Sequence, residues 1–397
     1  MKKWWGGALA VSTVLVVYVC YCLLRPLPIG KISLAINLPT TSDLTATQLG
    51  VQRGAIGFIN PSDNTIQCRA LGSGEAYDTP RATASLAKMI TVQVVLDAKP
   101  LTETEAGPLI TMSADDEASY WWHVNNNGSN ARVVAGEQIS ERQLIEGILL
   151  ASANNMADTL AIWAFGSLEN YHAAANRWLQ SNGLTDTTVT GDASGLNPVT
   201  KSTPVDICKI MLLATRQPAL VNILGEATAT LPTGDIIMNT NRLLGQNGIF
   251  AGKTGYNDEA NRGVMLASRQ TINDTEIIVA AVSLSNDNYT AAFDGAYQIL
   301  AAVPNDIKIT KLNSQRLGRI YTTWGSQSTV NATSDIAVAH WSDQIPTINT
   351  NYRHLEAEQL STGSVVGHLT VNDDDNNLIA TDNITPASAW WRLTHPF

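Results

Sequence analysis

The sequence predicts an α+β fold: an antiparallel sheet with helices packed on it, then a small all-β domain, all preceded by a transmembrane helix. Three observations predict it. Strand-like alternation occurs early, at residues 52–60 and 65–71, and again late, with helical patterning between. From about Asn305 the helical pattern vanishes and short alternating strands such as residues 365–371 take over, separated by Gly and Asn turns. An uncharged run, residues 4–24, opens the chain.

That run is long enough to span a bilayer and follows Lys2-Lys3. A cleaved signal has a shorter core and a small-residue site after it. Here Ala8-Leu9-Ala10 comes too early, and Arg25-Pro26-Leu27-Pro28 follows the core. Residues 1–30 therefore read as an uncleaved anchor, with a cleaved signal as the alternative, and the remainder as exported. Residues 31–47 are polar and Thr-rich, and read as a stalk.

The two early strands flank Pro61-Ser62-Asp63-Asn64, which reads as a hairpin turn. A helix is expected from Ser85 to about Ala98. Residues 100–137 read as loop-rich, with Trp121-Trp122 and a run of Asn. Ser140-Glu141-Arg142-Gln143 is a capping box opening an apolar helix that gives way near Ser152, with more helix from about Met156. Another helix runs from Glu169 to Gln180 and stops at Asn182-Gly183. Thr203-Pro204, an N-cap followed by proline at the first helical position, opens residues 205–215. Strands at 249–254, 263–268 and 277–284 and a helix at 290–302 complete the larger domain, residues 48–303. Residues 304–397 form the β-rich one.

Composition narrows the function. The net charge is -10 and no basic run follows Lys2-Lys3, which excludes nucleic acid as a partner. Of four cysteines only Cys68 and Cys208 lie in the folded part; two buried free thiols are the simpler reading, and pairing stays open. No CxxC or His/Cys cluster marks a metal site, and no cofactor is implied.

Three short motifs carry chemistry: Ser85-Leu86-Ala87-Lys88, Ser152-Ala153-Asn154 and Lys253-Thr254-Gly255. S-x-x-K and K-T-G are an established pair for penicillin-binding proteins and class A β-lactamases. Ser85 and Lys88 are three apart at a helix start, so their side chains share a face. A serine hydroxyl needs a base, and a lysine becomes one only when burial or a second cation lowers its pKa. Lys253 supplies that second cation and pairs with a substrate carboxylate. Ser152 relays protons, and Asn154 holds substrate and Lys88. Gly255 lets an extended backbone approach closely. Each motif alone is weak, S-x-x-K arising by chance roughly once in such a chain. Their order, spacing and context point the same way.

With these motifs and their flanks the sequence resembles the low-molecular-mass penicillin-binding proteins, the D-alanyl-D-alanine carboxypeptidases of peptidase family S11 that include penicillin-binding proteins 5 and 6. Pro80-Arg81-Ala82-Thr83-Ala84 before Ser85, Leu149-Leu150-Ala151 before Ser152, Asp192-Ala193-Ser194-Gly195-Leu196 and Val366-Gly367-His368-Leu369 all fit the family pattern. The resemblance implies a β-lactamase/transpeptidase-like domain, with Ser85 as nucleophile, Lys88 as base and Ser152 with Asn154 as second motif. Lys253 and Thr254 would bind the terminal carboxylate, and the backbone N–H groups of Ser85 and Tyr256 would form the oxyanion hole. It also implies peptidoglycan stem pentapeptides as substrate, β-lactams as covalent inhibitors, and a single-pass membrane enzyme facing the cell wall. Ala87, Asn155 and Ala260-Asn261 depart from the family pattern, and the tail is too short for the family's C-terminal amphipathic anchor. A DD-endopeptidase uses the same site. A β-lactamase lacks support because no E-x-x-L-N segment follows Ser152, and intact motifs argue against a non-catalytic wall-binding protein.

Overall fold

The computed structural model describes residues 2–36, 51–72, 78–353, 355–356, 360–372 and 374–396. It divides into two compact units, Leu44–Ile307 and Met1–Asp43 with Lys308–Phe397.

In the first unit, β1 (Arg53–Ile59), β2 (Ile66–Gly72), β3 (Ile249–Asn257), β4 (Asn261–Ile272) and β5 (Thr275–Asn286) form one antiparallel sheet in the order β3-β4-β5-β1-β2. The sequence spans two helical blocks before the last three strands return to pair with the first two. Seven longer helices accompany the sheet: α1 (Lys88–Ala98), α2 (Ala114–Asn125), α3 (Glu141–Leu149), α4 (Asn154–Phe165), α5 (Leu168–Ser181), α6 (Pro204–Ala214) and α7 (Tyr289–Asp306). Side chains three apart on a strand face opposite sides. A Cβ on Gly54 would meet Ile299 of α7, and one on Gly57 would meet Cys208 of α6, so β1 is sandwiched between those helices. Both faces of β1 are therefore covered, and it is buried along its whole length.

Local chemistry explains the helix starts. Ser140 accepts from the Gln143 backbone N–H, and Gln143 returns to the Ser140 backbone, closing the expected capping box. Such a cap contributes about 1 kcal/mol. Thr203 caps α6 with Pro204 in its first turn, as expected.

Several expectations need correction. The loop-rich stretch 100–137 holds a helix that was not expected: α2 occupies Ala114–Asn125, opened by a Ser113/Asp116 capping box. The three late strands run longer than their hydrophobic cores, because polar ends remain paired at the sheet margin. The stalk reading fails at its start. Lys31–Leu34 is an edge strand pairing with Gly318–Tyr321, its Ile32 and Leu34 packing on the β-rich core. Residues 37–47 of that stalk lie outside the described residues.

The second unit carries a six-stranded sheet ordered Lys31–Leu34, Gly318–Tyr321, Gln327–Ala332, Asp374–Ala380, Val365–Val371 and Ile348–Tyr352. It is not wholly β: Ser388 caps a short helix, Ala389–Thr394. Arg392 of that helix donates to the Arg25 carbonyl at 2.7 Å, so the tail grips the end of the N-terminal helix, Lys2–Leu24. Among the described residues no single helix is long and apolar enough to cross a membrane; the apolar part of the N-terminal helix is Leu9–Leu24.

Cys68 on edge strand β2 and Cys208 on α6 are both free thiols, but they are neighbours, with Sγ atoms 2.9 Å apart. Only Cys208 is buried. Sequence spacing could not reveal this pairing of a strand and a helix 140 residues apart.

Candidate active site

The three motifs converge from separate elements. Ser85 sits in a single 3-10 turn, Ala84–Ala87, that runs directly into α1, and Lys88 is the first residue of α1. Ser152 and Asn154 lie at the break between α3 and α4, and Lys253 to Tyr256 lie on edge strand β3. Two non-glycine residues at these junctions take left-handed backbone angles, Ala84 (φ 48) and Ser152 (φ 60). Such strain persists only where surrounding packing enforces it, and it concentrates at functional sites.

Lys88 is the hub. Its Nζ donates to Ser85 Oγ at 2.7 Å, Asn154 Oδ1 at 2.7 Å and the Ser194 carbonyl at 3.0 Å. Lys88 is fully buried, and burial lowers its pKa from 10.5 to about 7, with Asp192 and Asp158 pulling the other way. A neutral amine 2.7 Å from a serine hydroxyl has the geometry that general-base chemistry requires.

Lys253 is also fully buried. Its Nζ donates to Ser152 Oγ at 2.8 Å and to the Thr254 carbonyl at 2.9 Å. Burial, then Lys88, hold its pKa well below the ordinary value. Thr254 Oγ1 donates to Thr240 Oγ1 at 2.9 Å. Gly255 permits a close approach: a Cβ there would lie 3.1 Å from the Leu86 N and 3.3 Å from the Ser85 N. Its backbone thus presses on the Ala84–Ala87 turn, a tighter reason for glycine than access to substrate alone.

A cleft of about 540 Å³ opens over Ser85. Of the expected residues, Ser85, Asn154 and Tyr256 line it, joined by Trp122, Gly128, Leu196, Asp258 and Glu259. Lys88, Ser152, Lys253, Thr254 and Gly255 stand behind that wall. Tyr256 donates its hydroxyl to Asp258 Oδ1 at 2.8 Å, and Arg262 lies 4.0 Å over its ring.

Sequence reasoning missed the wall supplied by α2 and the loop after it, including Trp122 and Gly128, and with them His123 behind it. The Ser113/Asp116 capping box was the available signal. Two departures from the family pattern find a use. Asn155 accepts from the Ala131 N–H at 3.2 Å and donates to the Ala131 carbonyl at 2.9 Å, a two-way clasp that a carboxylate could not make. Asn261 adopts φ 57, so the hairpin keeps the left-handed turn that glycine would otherwise supply.

Among the described residues no group of three or more His, Cys, Asp or Glu could hold a metal ion.

A sequence profile for the D-alanyl-D-alanine carboxypeptidase family matches residues 69–288, spanning all three motifs. D-alanyl-D-alanine carboxypeptidase DacB2 of Mycobacterium tuberculosis is 29% identical over 196 residues, covering 48% of this chain and 63% of that protein. The D-alanyl-D-alanine endopeptidase of Escherichia coli is 26% identical over 251 residues, covering 61% of this chain and 75% of that one. Among solved structures, penicillin binding protein 5 of Haemophilus influenzae superposes with a TM-score of 0.60 at 19% identity, covering 89% of this chain and all of that one. At that identity the likeness speaks to fold: a mixed α/β fold of the penicillin-binding-protein kind.

Proposed function

Because the chain belongs to the D-alanyl-D-alanine carboxypeptidase family, peptidase family S11, we propose that it is a serine carboxypeptidase removing the terminal D-alanine of peptidoglycan stem pentapeptides. The observation that carries this is the buried Lys88 amine, 2.7 Å from the Ser85 hydroxyl.

Ser85 Oγ attacks the carbonyl carbon between the last two D-alanines while Lys88 takes its proton. The oxyanion forms against the backbone N–H groups of Ser85 and Tyr256. The proton taken by Lys88 is relayed through Ser152, itself hydrogen-bonded to Lys253, to the leaving amine, so that Lys88 is neutral again as D-alanine departs. Water then cleaves the acyl ester and restores Ser85. Asn154 orients Lys88 and the substrate backbone, and Gly255 keeps β3 against the nucleophile. A penicillin enters by the same attack and remains as the acyl group.

An exopeptidase of this kind must sense a free C-terminal carboxylate. Lys253 takes that role past Ser152: an arriving carboxylate favours its charged form against the burial that holds its pKa low, with Thr254 as hydrogen-bond donor. A charge-assisted hydrogen bond contributes roughly 1.5–3 kcal/mol, or about ten- to a hundredfold in kcat/KM. Mass spectrometry of products from a pentapeptide ending in D-Ala-D-Ala should therefore show faster release from the free acid than from its terminal amide, by about that factor. Lys253→Ala should flatten the ratio. Equal cleavage of acid and amide by the unmodified enzyme would favour the endopeptidase activity named for the Escherichia coli relative.

The N-terminal helix is proposed as a membrane anchor that leaves both folded units on the wall side. The enzyme should fractionate with membranes, and deleting residues 1–24, which spares the Arg25 carbonyl gripped by Arg392, should give a soluble active form. A mature N-terminus between residues 26 and 35 would instead make the segment a cleaved signal.

A further inference from the structure

The proposed reaction needs the Asn154 side-chain amide held one way round. Lys88 Nζ donates to Asn154 Oδ1 at 2.7 Å, so the carbonyl end faces the base and the NH₂ end faces away. At that other end stands His123, its Nδ1 3.5 Å from Asn154 Nδ2. We propose that His123 is a positioning residue: as a neutral imidazole accepting through Nδ1, it locks Asn154 with its oxygen toward Lys88. The proposal rests on the carboxypeptidase reading above and adds a residue to it that no motif contains.

The surroundings are built for this contact. His123 lies in the last turn of α2 and is 6% exposed. Trp122 meets its ring edge-on, with centroids 4.9 Å apart. The loop beyond is tied to both partners. Gly128 N donates to the His123 carbonyl at 2.8 Å, Asn154 N donates to the Ser129 carbonyl at 2.9 Å, and Asn155 clasps Ala131. A Cβ at Gly128 would sit 2.6 Å from His123 Nδ1, so only glycine lets the loop pass without displacing the ring. Contacts of this length in ligand-free active sites tighten when substrate binds. The amide has two N–H groups, so one can serve His123 while the other remains for the substrate backbone.

The arrangement works for one protonation state only. An imidazolium presents N–H at both nitrogens, and Nδ1–H against the Asn154 NH₂ is donor against donor. The amide would then turn and present its NH₂ to Lys88. The charged groups facing His123 are Lys88 from α1, Asp158 from α4 and Asp192 from the segment before Ser194; Asp158 and Asp192 share a cavity of about 430 Å³ with it. Burial, then Lys88, lower the His123 pKa, with Asp192 opposing, so the ring stays neutral at pH 7.

The test is the pH profile of Ser85 acylation by a penicillin, followed as covalent adduct per unit time. In the unmodified enzyme the logarithm of the rate should fall with a slope of about one below pH 7 as Lys88 protonates, steepening to about two at lower pH as His123 follows. His123→Asn places a non-titrating amide oxygen where Nδ1 was; it should keep the plateau rate within about threefold and hold the slope at about one. His123→Leu should lower the plateau about ten- to a hundredfold. A wild-type acylation rate in the leucine variant, or a slope of about two persisting in the asparagine variant, would overturn the proposal. If the leucine variant does not fold, the asparagine profile decides. A wild-type chain that is not acylated at all would overturn the carboxypeptidase reading and this role with it.

Discussion

Ser85→Ala should abolish the covalent penicillin adduct, and with it essentially all D-alanine release. The hydroxyl is the only atom of the Lys88 cluster able to form the acyl bond: Lys88 itself is fully buried, and Asn154 offers an amide. In serine peptidases loss of the nucleophile costs on the order of 10⁶ in kcat. The change is nearly isosteric at a 9% exposed site, so the fold should survive it, and the lost hydrogen bond is worth about 1 kcal/mol. Intact-mass analysis after benzylpenicillin should show one adduct in the unmodified protein and none in the variant. An adduct persisting in Ser85→Ala would place the nucleophile elsewhere. No adduct in either protein would favour a wall-binding protein that has kept its motifs without the reaction.

What the sequence disclosed about this site follows a physical boundary. Ser85 and Lys88 were legible because their relation is set within one helical turn, where spacing alone dictates geometry. The capping residues of α3 and α6 were legible for the same reason. Order along the chain then placed Ser152 and Lys253 near them by resemblance, and in the structure Lys253 meets Ser152 while Lys88 meets Ser85 and Asn154. Relations that depend on packing were not legible. Nothing local marks Lys253 as fully buried behind Ser152, because its burial comes from strands and helices far away in sequence. His123 approaches Asn154 from 31 residues upstream, and its helix passed for loop because Trp, His and Asn crowd its end. Lys31–Leu34 read as stalk because a short edge strand carries only two apolar residues, and its partner lies almost three hundred residues on.

Lys88→Met should separate the two consequences of burying an amine. Removing a positioned general base lowers acylation by about 10²–10⁴, and the residual rate should no longer rise as pH climbs through 7, because the group whose deprotonation drives that rise is gone. Stability carries the other consequence. The buried amine titrates at about 7 against an ordinary 10.5, which corresponds to roughly 5 kcal/mol of disfavoured charging. Below pH 7 Lys88 is protonated in both folded and unfolded chains, and the penalty is complete. Between about 7 and 10.5 the unfolded chain holds the extra proton, so stability rises with pH, and above that range the penalty vanishes. The methionine variant lacks this dependence. Its stability at pH 7 depends also on Ser85 Oγ, Asn154 Oδ1 and the Ser194 carbonyl, which lose a donor, so the sign at one pH decides nothing. The difference in unfolding free energy between the two proteins is the observable, measured by denaturant at several pH values. It should drift in favour of the lysine form as pH rises from 7 toward 10. A difference flat across that range would mean Lys88 titrates near its ordinary value, and a lysine charged at pH 7 cannot take the Ser85 proton.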